Sequence, residues 1–213
     1  MTETPQYKLI YFNLRILGDP IRFILNYVNV PFEDVRIQTE GEWAAIKEST
    51  AWGKLPVLEI DGKHQLSQSH AISKYLGKKF NLDGVDELES AKCDEYVGVA
   101  LDMRTQWRKY WFEKEDQPKR ENAKTEFVTV IAPKYFNRFS KILEDNGGKY
   151  LVGAGLTWAD FFVALFFELF EDTVDKNLLV PYPTLLQFKN NIYSIPQIKQ
   201  AVENRPENEF WRS

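Results

Sequence analysis

With 213 residues, 44% hydrophobic and 15% aromatic against 27% charged, the chain has apolar surface for one large core or two smaller ones, which excludes intrinsic disorder. Its net charge is −4 and no basic run exceeds Lys78-Lys79, so neither a nucleic acid nor an anionic membrane is expected as a partner. The single cysteine, Cys93, rules out an internal disulfide, a thiolate metal cage and a Cys-x-x-Cys redox pair.

The opening MTETPQYK has neither the charged start nor the apolar centre of a secretory signal, and no segment approaches the ~18 consecutive apolar residues of a membrane span. A soluble, cytoplasmic protein is therefore expected. YKLIYFN (7–13) is rich in aromatic and β-branched residues and reads as a strand. In DPIRFILNYV, Asp19 can cap a helix and Pro20 can take its first position, where a missing N–H costs nothing. Ile21, Ile24, Leu25 and Val28 then recur on one face. FEDVRI (32–37) gives a second strand, EWAAIKES (42–49) a short helix, and LPVLEI (55–60) a strand that turns at Asp61-Gly62 into a hairpin. SHAISKYLGKKF closes the set as a helix. The order β-α-β-α-β-β-α implies a right-handed βαβ unit with parallel neighbours plus an antiparallel hairpin, a small mixed sheet with helices.

LDGVDELES (82–90) reads as a connecting segment, after which the pattern turns helical. Long helices are expected at 88–113 and 119–145, the second stopped by Asn146-Gly147-Gly148. In GLTWADFFVALFFELFE (155–171), Thr157 can cap and Asp160 can reach back, a near capping box, although the box prefers Glu or Gln. That helix is apolar on nearly every face and so belongs at the centre of the second half. Two shorter helices, 184–193 and 196–204, complete the chain.

In open α/β sheets, ligands gather beyond the carboxyl ends of the strands. Tyr11 lies at such an end, and Gln68-Ser69 opens the last helix of the same half. A helix N-terminus favours a carboxylate through its free N–H groups and its dipole, and a serine hydroxyl with a glutamine amide beside it would fix that carboxylate. A serine there can equally be only a cap. Pro56 follows Leu55 at the start of the hairpin. A cis bond, found in roughly 5–6% of X-Pro pairs, would turn the Leu55 N–H and C=O outward to pair with an extended peptide. Trp43 and Lys47, four apart, share a helix face, and Lys54 lies just before the proline. Two cations beside a helix N-terminus suit an acidic peptide with more than one carboxylate, whereas each lysine alone reads as surface.

Taken in order, YFNLRILGDPIRF, FEDVRI, the Trp43–Lys47 spacing, GKLPVLEIDG, QSHAISKYL and LTWADFF resemble the cytosolic glutathione transferases. They are most similar to the sigma class, which includes invertebrate enzymes and the glutathione-dependent prostaglandin D synthase. The resemblance spans essentially the whole chain. It implies a thioredoxin-like domain (1–81), a linker (82–88) and an all-helical domain (89–213), assembled as a homodimer. It also implies that the Tyr11 hydroxyl activates the glutathione thiol, that Gln68 and Ser69 hold the γ-glutamyl carboxylate, and that Leu55 before Pro56 clamps the cysteinyl backbone. Trp43, Lys47 and Lys54 then gather around the glycyl end. In the family an acidic residue of the second subunit can reach the glutathione amine, and the partner subunit's Asp102 is the candidate. Glutathione is a co-substrate, so no cofactor is expected, and no metal: ALDMR offers only Asp102 where the prostaglandin synthase has a metal-binding acidic cluster. His64 and His70 are expected to be solvated.

The second substrate, a hydrophobic electrophile, is expected between the domains against Phe12, Leu17, Trp107, Tyr110 and Trp111, although aromatics at such spacing also serve as core. Leu17 stands where many sigma members carry a second arginine. Phe210 and Trp211 can cover that pocket or dock on the last helix. The resemblance implies conjugation of glutathione to lipid-peroxidation products, peroxides and xenobiotics. The alternatives are a prostaglandin-endoperoxide isomerase and a crystallin-like protein without activity. Retained Tyr11 and the absence of extra length in WFEKEDQPKRENAK favour the enzyme.

Overall fold

Strand β1 is Tyr7–Phe12, and most of its residues are buried, as suits a strand paired along both edges. The computed structural model describes residues 6–207. After a loop comes α1 (Asp19–Tyr27), whose Ile21, Ile24 and Leu25 are fully buried. Pro20 lies in its first turn, as expected, but Asp19 is not the cap. It is the first helical residue, and its carboxylate pairs with Arg22 at 2.9 Å. Strand β2 (Phe32–Ile37) leads to α2 (Glu40–Ile46), which ends in a 3-10 turn (Lys47–Ser49). This helix starts two residues before the expected boundary because Thr39 Oγ1 accepts from the Glu42 N–H (3.1 Å) while the Glu42 carboxylate accepts from the Gln38 N–H (2.7 Å). Then follow β3 (Val57–Ile60), β4 (His64–Ser67) and α3 (Ser69–Lys79).

The sheet order is β2-β1-β3-β4. β1 pairs parallel with β2, Tyr11 opposite Arg36, and antiparallel with β3, Ile10 opposite Val57; β3 pairs antiparallel with β4, Val57 opposite Ser67. This is the mixed sheet expected from the element order, in the thioredoxin-like form that the resemblance implies.

The second unit, Asn81–Ser194, is built from α4 (Glu87–Trp111), α5 (Gln117–Glu126), α6 (Ala132–Asp145), α7 (Trp158–Thr173) and α8 (Pro183–Tyr193). The single helix expected over 119–145 is α5 and α6 joined by a turn of π-helix, Phe127–Ile131. Pro133 supplies the reason: it has no N–H to give the Thr129 carbonyl and its ring crowds that carbonyl, so the turn before it widens. Helix α7 is central, with every residue from Trp158 to Phe167 buried. The reach of Asp160 back to its cap is formed: Oδ2 accepts from the Thr157 N–H (2.7 Å) and hydroxyl (2.9 Å), and Oδ1 from the Leu151 N–H (2.8 Å). The stretch expected as a linker is anchored rather than loose. Leu82 and Asp83 are buried, and the Asp83 carboxylate accepts from the Trp158 indole and the Ser90 hydroxyl, both at 2.6 Å.

The last helix, α9 (Pro196–Glu203), packs on α1 with Ile198 fully buried. Residues 195–207 thereby group with residues 6–80 as the first unit. The apolar stripe of a short amphipathic helix does not say which surface it will cover. Phe210 and Trp211 lie outside the described residues. No helix of the described residues is long and apolar enough to cross a membrane.

Candidate active site

The two ladders of β3 fix one row across the sheet. Ile10 faces Val57 and Val57 faces Ser67, so one step further Pro56 comes between Tyr11 on β1 and Gln68 at the end of β4. Leu55-Pro56 is a cis peptide. Gln68 has φ 74° and ψ 116°, a left-handed backbone that costs a residue with a Cβ about 1–3 kcal/mol. Its carbonyl accepts the first helical bond of α3, from the Ile72 N–H (2.9 Å), while its side chain makes no capping bond and is exposed. Ser69, the first helical residue, is buried. The free N–H groups of α3, an uncommitted amide and a buried serine therefore converge beside Tyr11 and Pro56.

Tyr11 is 4% exposed, and its ring is held from the α1 side. A Cβ on Gly18 would stand 2.4 Å from Tyr11 Cδ1 and 2.8 Å from Arg22 Nη1, so only glycine lets the loop pass under the ring. The Arg22 guanidinium lies 5.9 Å from the ring centroid, within cation–π range. Arg22 itself is fixed on three sides. Nε donates to Asp34 (3.0 Å), and Nη1 donates to Asp19 Oδ1 (2.9 Å) and to the Leu14 carbonyl (3.0 Å). Burial alone would depress its pKa, but Asp19 and Asp34 outweigh that and hold it above the ordinary value. Burial and the neighbouring Arg22 push Arg36 the other way, against the pull of Asp34.

On the opposite side, Trp43 packs edge-on against Phe12, ring centroids 5.8 Å apart, over a cluster of Ile10, Ile37 and Val57 that also takes Leu55. Lys47 and Lys54 are exposed, and the Lys47 stem runs beside Gly53, so both ammonium groups belong to the loop that leads into Leu55-Pro56. Leu17 keeps part of its surface open, as does Trp111. The other two expected wall aromatics are core. Trp107 is fully buried, stacked on Trp111 with its indole N–H on Thr173 Oγ1 (2.9 Å), and buried Tyr110 donates its hydroxyl to the Thr173 carbonyl (3.1 Å). At helical spacing both point inward to α7, and each has a polar tip that Thr173 satisfies.

Asp102 is exposed on α4, and His64 and His70 are exposed. Among the described residues no three His, Cys, Asp or Glu side chains converge as a metal site. Sequence reasoning missed Gly18, Asp19 in its paired role, Arg22, Asp34 and Arg36. The i, i+3 spacing of Asp19–Arg22 and the i, i+2 spacing of Asp34–Arg36 were the available signals.

The profile of the glutathione S-transferase N-terminal domain matches residues 7–78, and that of the C-terminal domain matches residues 101–205. A glutathione S-transferase of Anopheles gambiae is 36% identical over 202 residues, covering 95% of this chain and 98% of the relative. The hematopoietic prostaglandin D synthase of Homo sapiens is 34% identical over 206 residues, covering 95% and 98%. The solved structure of prostaglandin synthase D of Nilaparvata lugens superposes with a TM-score of 0.87 at 37% identity, over 95% of this chain and 100% of that one. Matches of this extent to both halves, on a fold and a helix-terminal site already built from the residues, show that the chain belongs to the glutathione transferase family.

Proposed function

We propose that the protein conjugates glutathione to hydrophobic electrophiles, with the Tyr11 hydroxyl donating to the glutathione sulfur. The observation that carries this reading is the row Tyr11–Pro56–Gln68 at the N-terminus of α3. A free thiol has a pKa near ~8.5, so little is thiolate at neutral pH. A phenol donating to sulfur stabilises the anion and supplies a nucleophile. The thiolate attacks the electrophilic carbon, the S–C bond forms, and with an aryl halide the halide leaves with the bonding pair. Gln68 and Ser69 would hold the γ-glutamyl carboxylate, Leu55 before Pro56 the cysteinyl backbone, and Trp43, Lys47 and Lys54 the glycyl end. Phe12 and Leu17, each partly open beside Tyr11, have the apolar surface that the electrophile needs. The reading extends to a sigma-like cytoplasmic enzyme of detoxification, without cofactor, that acts as a homodimer in which the partner subunit's Asp102 reaches the glutathione amine.

The test is the rate of conjugation to a chromogenic aryl halide for wild type and Tyr11→Phe, with glutathione affinity measured in parallel. The expected result is a fall of at least about tenfold in kcat with affinity retained, since one hydrogen bond to a charged sulfur is removed. Equal rates would refute the role of Tyr11. The similarity to a prostaglandin D synthase supports a second reading, endoperoxide isomerisation with glutathione regenerated. Turnover of an endoperoxide without net loss of thiol would favour it.

A further inference from the structure

Three arginines and two aspartates meet at the first turn of α1: Asp19 and Arg22 on the helix, Asp34 and Arg36 on β2, and Arg205 from the segment after α9. Arg205 Nε lies 2.9 Å from Asp19 Oδ2, and its guanidinium stands 5.4 Å from the centroid of the Phe23 ring. The other oxygen of Asp19 takes Arg22 Nη1, and Arg22 is the cation against the Tyr11 ring. Two residues on, the Glu207 carbonyl accepts from Asn13 Nδ2 (3.0 Å), while Asn13 Oδ1 accepts from Arg36 Nη1 (3.2 Å). Asn13 is two residues from Tyr11. The segment 205–207 is thus fastened at Asn13 to the loop that leaves the tyrosine and at Asp19 to the start of α1.

We propose that Arg205 is a positioning residue for Tyr11, acting through Asp19 and Arg22 on the placement and donor strength of the phenol. This rests on the reading of Tyr11 as the thiol activator. One part of the effect is geometric. Asp19 is shared between two guanidinium groups, and Arg22 sits where Asp19, Asp34 and the Leu14 carbonyl balance it. Without Arg205 the whole Asp19 charge falls on Arg22 and draws it along the ring. The other part is electrostatic. With all five groups ionised, Arg205 is the charge that leaves the cluster net positive. Side-chain exposures of 2% for Asp19, 4% for Arg22 and 15% for Arg205 mean that water screens it weakly. Arg15, on the same cleft, is the remaining charge of the loop and is more open to solvent. A net positive cluster beside the ring strengthens the O–H as a donor and favours the thiolate it faces.

The decisive measurement is the titration of glutathione bound to the full-length protein, read from the ultraviolet absorbance of the thiolate. Wild type, Tyr11→Phe, Arg205→Met and the double variant are compared, with glutathione Kd alongside. Arg205→Met is expected to lower the thiolate fraction below its pKa by roughly tenfold, a rise of about one in pKa, with Kd changed less than about threefold (~0.6 kcal/mol). In the Tyr11→Phe background it adds nothing further. A folded Arg205→Met protein that titrates like wild type overturns the proposal, and so does a full second shift in the double variant, which would place Arg205 on the thiolate directly. If Arg205→Met does not fold, Arg205→Gln, neutral but able to hydrogen-bond Asp19, is judged by the same outcomes. The two readings separate cleanly: if Tyr11→Phe itself titrates like wild type, Tyr11 is not the activator and both fall. If Tyr11→Phe shifts and Arg205→Met does not, only the role of Arg205 falls.

Discussion

At Gly18 the backbone is ordinary, φ −86° and ψ −37°, so nothing in its conformation demands glycine. The demand is steric, because the missing Cβ is the space that the Tyr11 ring fills. Gly18→Ala must therefore move the ring or the loop, and the ring is the part that carries chemistry. We expect a loss of about 1–3 kcal/mol in stability and a fall in kcat of about tenfold or more, larger than any change in glutathione Kd. Unchanged kcat in steady-state kinetics would mean that the loop, not the phenol, gives way. Gln68 presents the converse case, a side chain kept at a backbone position where glycine would be easier. Gln68→Gly is expected to leave thermal stability equal or up to ~1 kcal/mol higher, while calorimetry shows glutathione affinity falling. Lower stability would mean that the amide serves the fold rather than the ligand. Tyr11, Pro56, Gln68 and Ser69 were legible because each stands at a local landmark: a strand end, a proline, a helix start. The charges around Arg22 were not, because they come from α1, β2 and the segment after α9, and no window of sequence contains them together.

Helices were legible where a terminus has its own chemistry and obscure where packing decides. Thr157 and Asp160 marked the start of α7, and the apolar girth of that helix announced its central place. The widened turn before Pro133 did not appear in a pattern that looks helical on both sides, and Trp107 and Tyr110 could not be told from pocket aromatics until Thr173 was seen to hold their polar tips. Asp160 gives a prediction with a pH dependence. Burial pushes its pKa from 3.8 up to about 6, outweighing the donors from Leu151 and Thr157 that pull it down. A carboxyl raised on folding binds its proton more tightly in the folded state. Its contribution to stability is full below the unfolded value and is lost as pH rises through about 6. Asp160→Asn also removes an acceptor from buried N–H groups, a cost of about 1–3 kcal/mol. The loss in urea unfolding should therefore be greatest near pH ~4 and shrink above pH ~6. A cost that grows with pH would show that the carboxylate, not the acid, is the form the helix start prefers.

At the scale of the whole chain, the change of texture near residue 82 exposed two units, but not that the chain comes back to the first one. Helix α9 is short and its stripe would fit many surfaces; what commits it is Ile198 in an apolar seat against α1 and Arg205 on Asp19. Ending the chain at Ser194 keeps every strand of the sheet and every helix from α1 to α8, yet it uncovers α1 and leaves the buried Asp19 with one guanidinium fewer. Removing one partner of a buried charge pair costs about 3–5 kcal/mol, and the lost apolar cover adds to that, so the first unit should open more readily. The second unit contains its own reporter. Cys93 is fully buried on α4 and burial pushes its thiol up to about 12, so it stays protonated and unreactive at neutral pH until that unit opens. In the shortened chain, amides of β1 and α1 should lose hydrogen-exchange protection and glutathione binding should fall, while the labelling rate of Cys93 stays within a few-fold of the full-length value. If instead Cys93 becomes reactive in step with the β1 amides, the two units unfold as one, and the tail stabilises the chain as a whole rather than the unit it returns to.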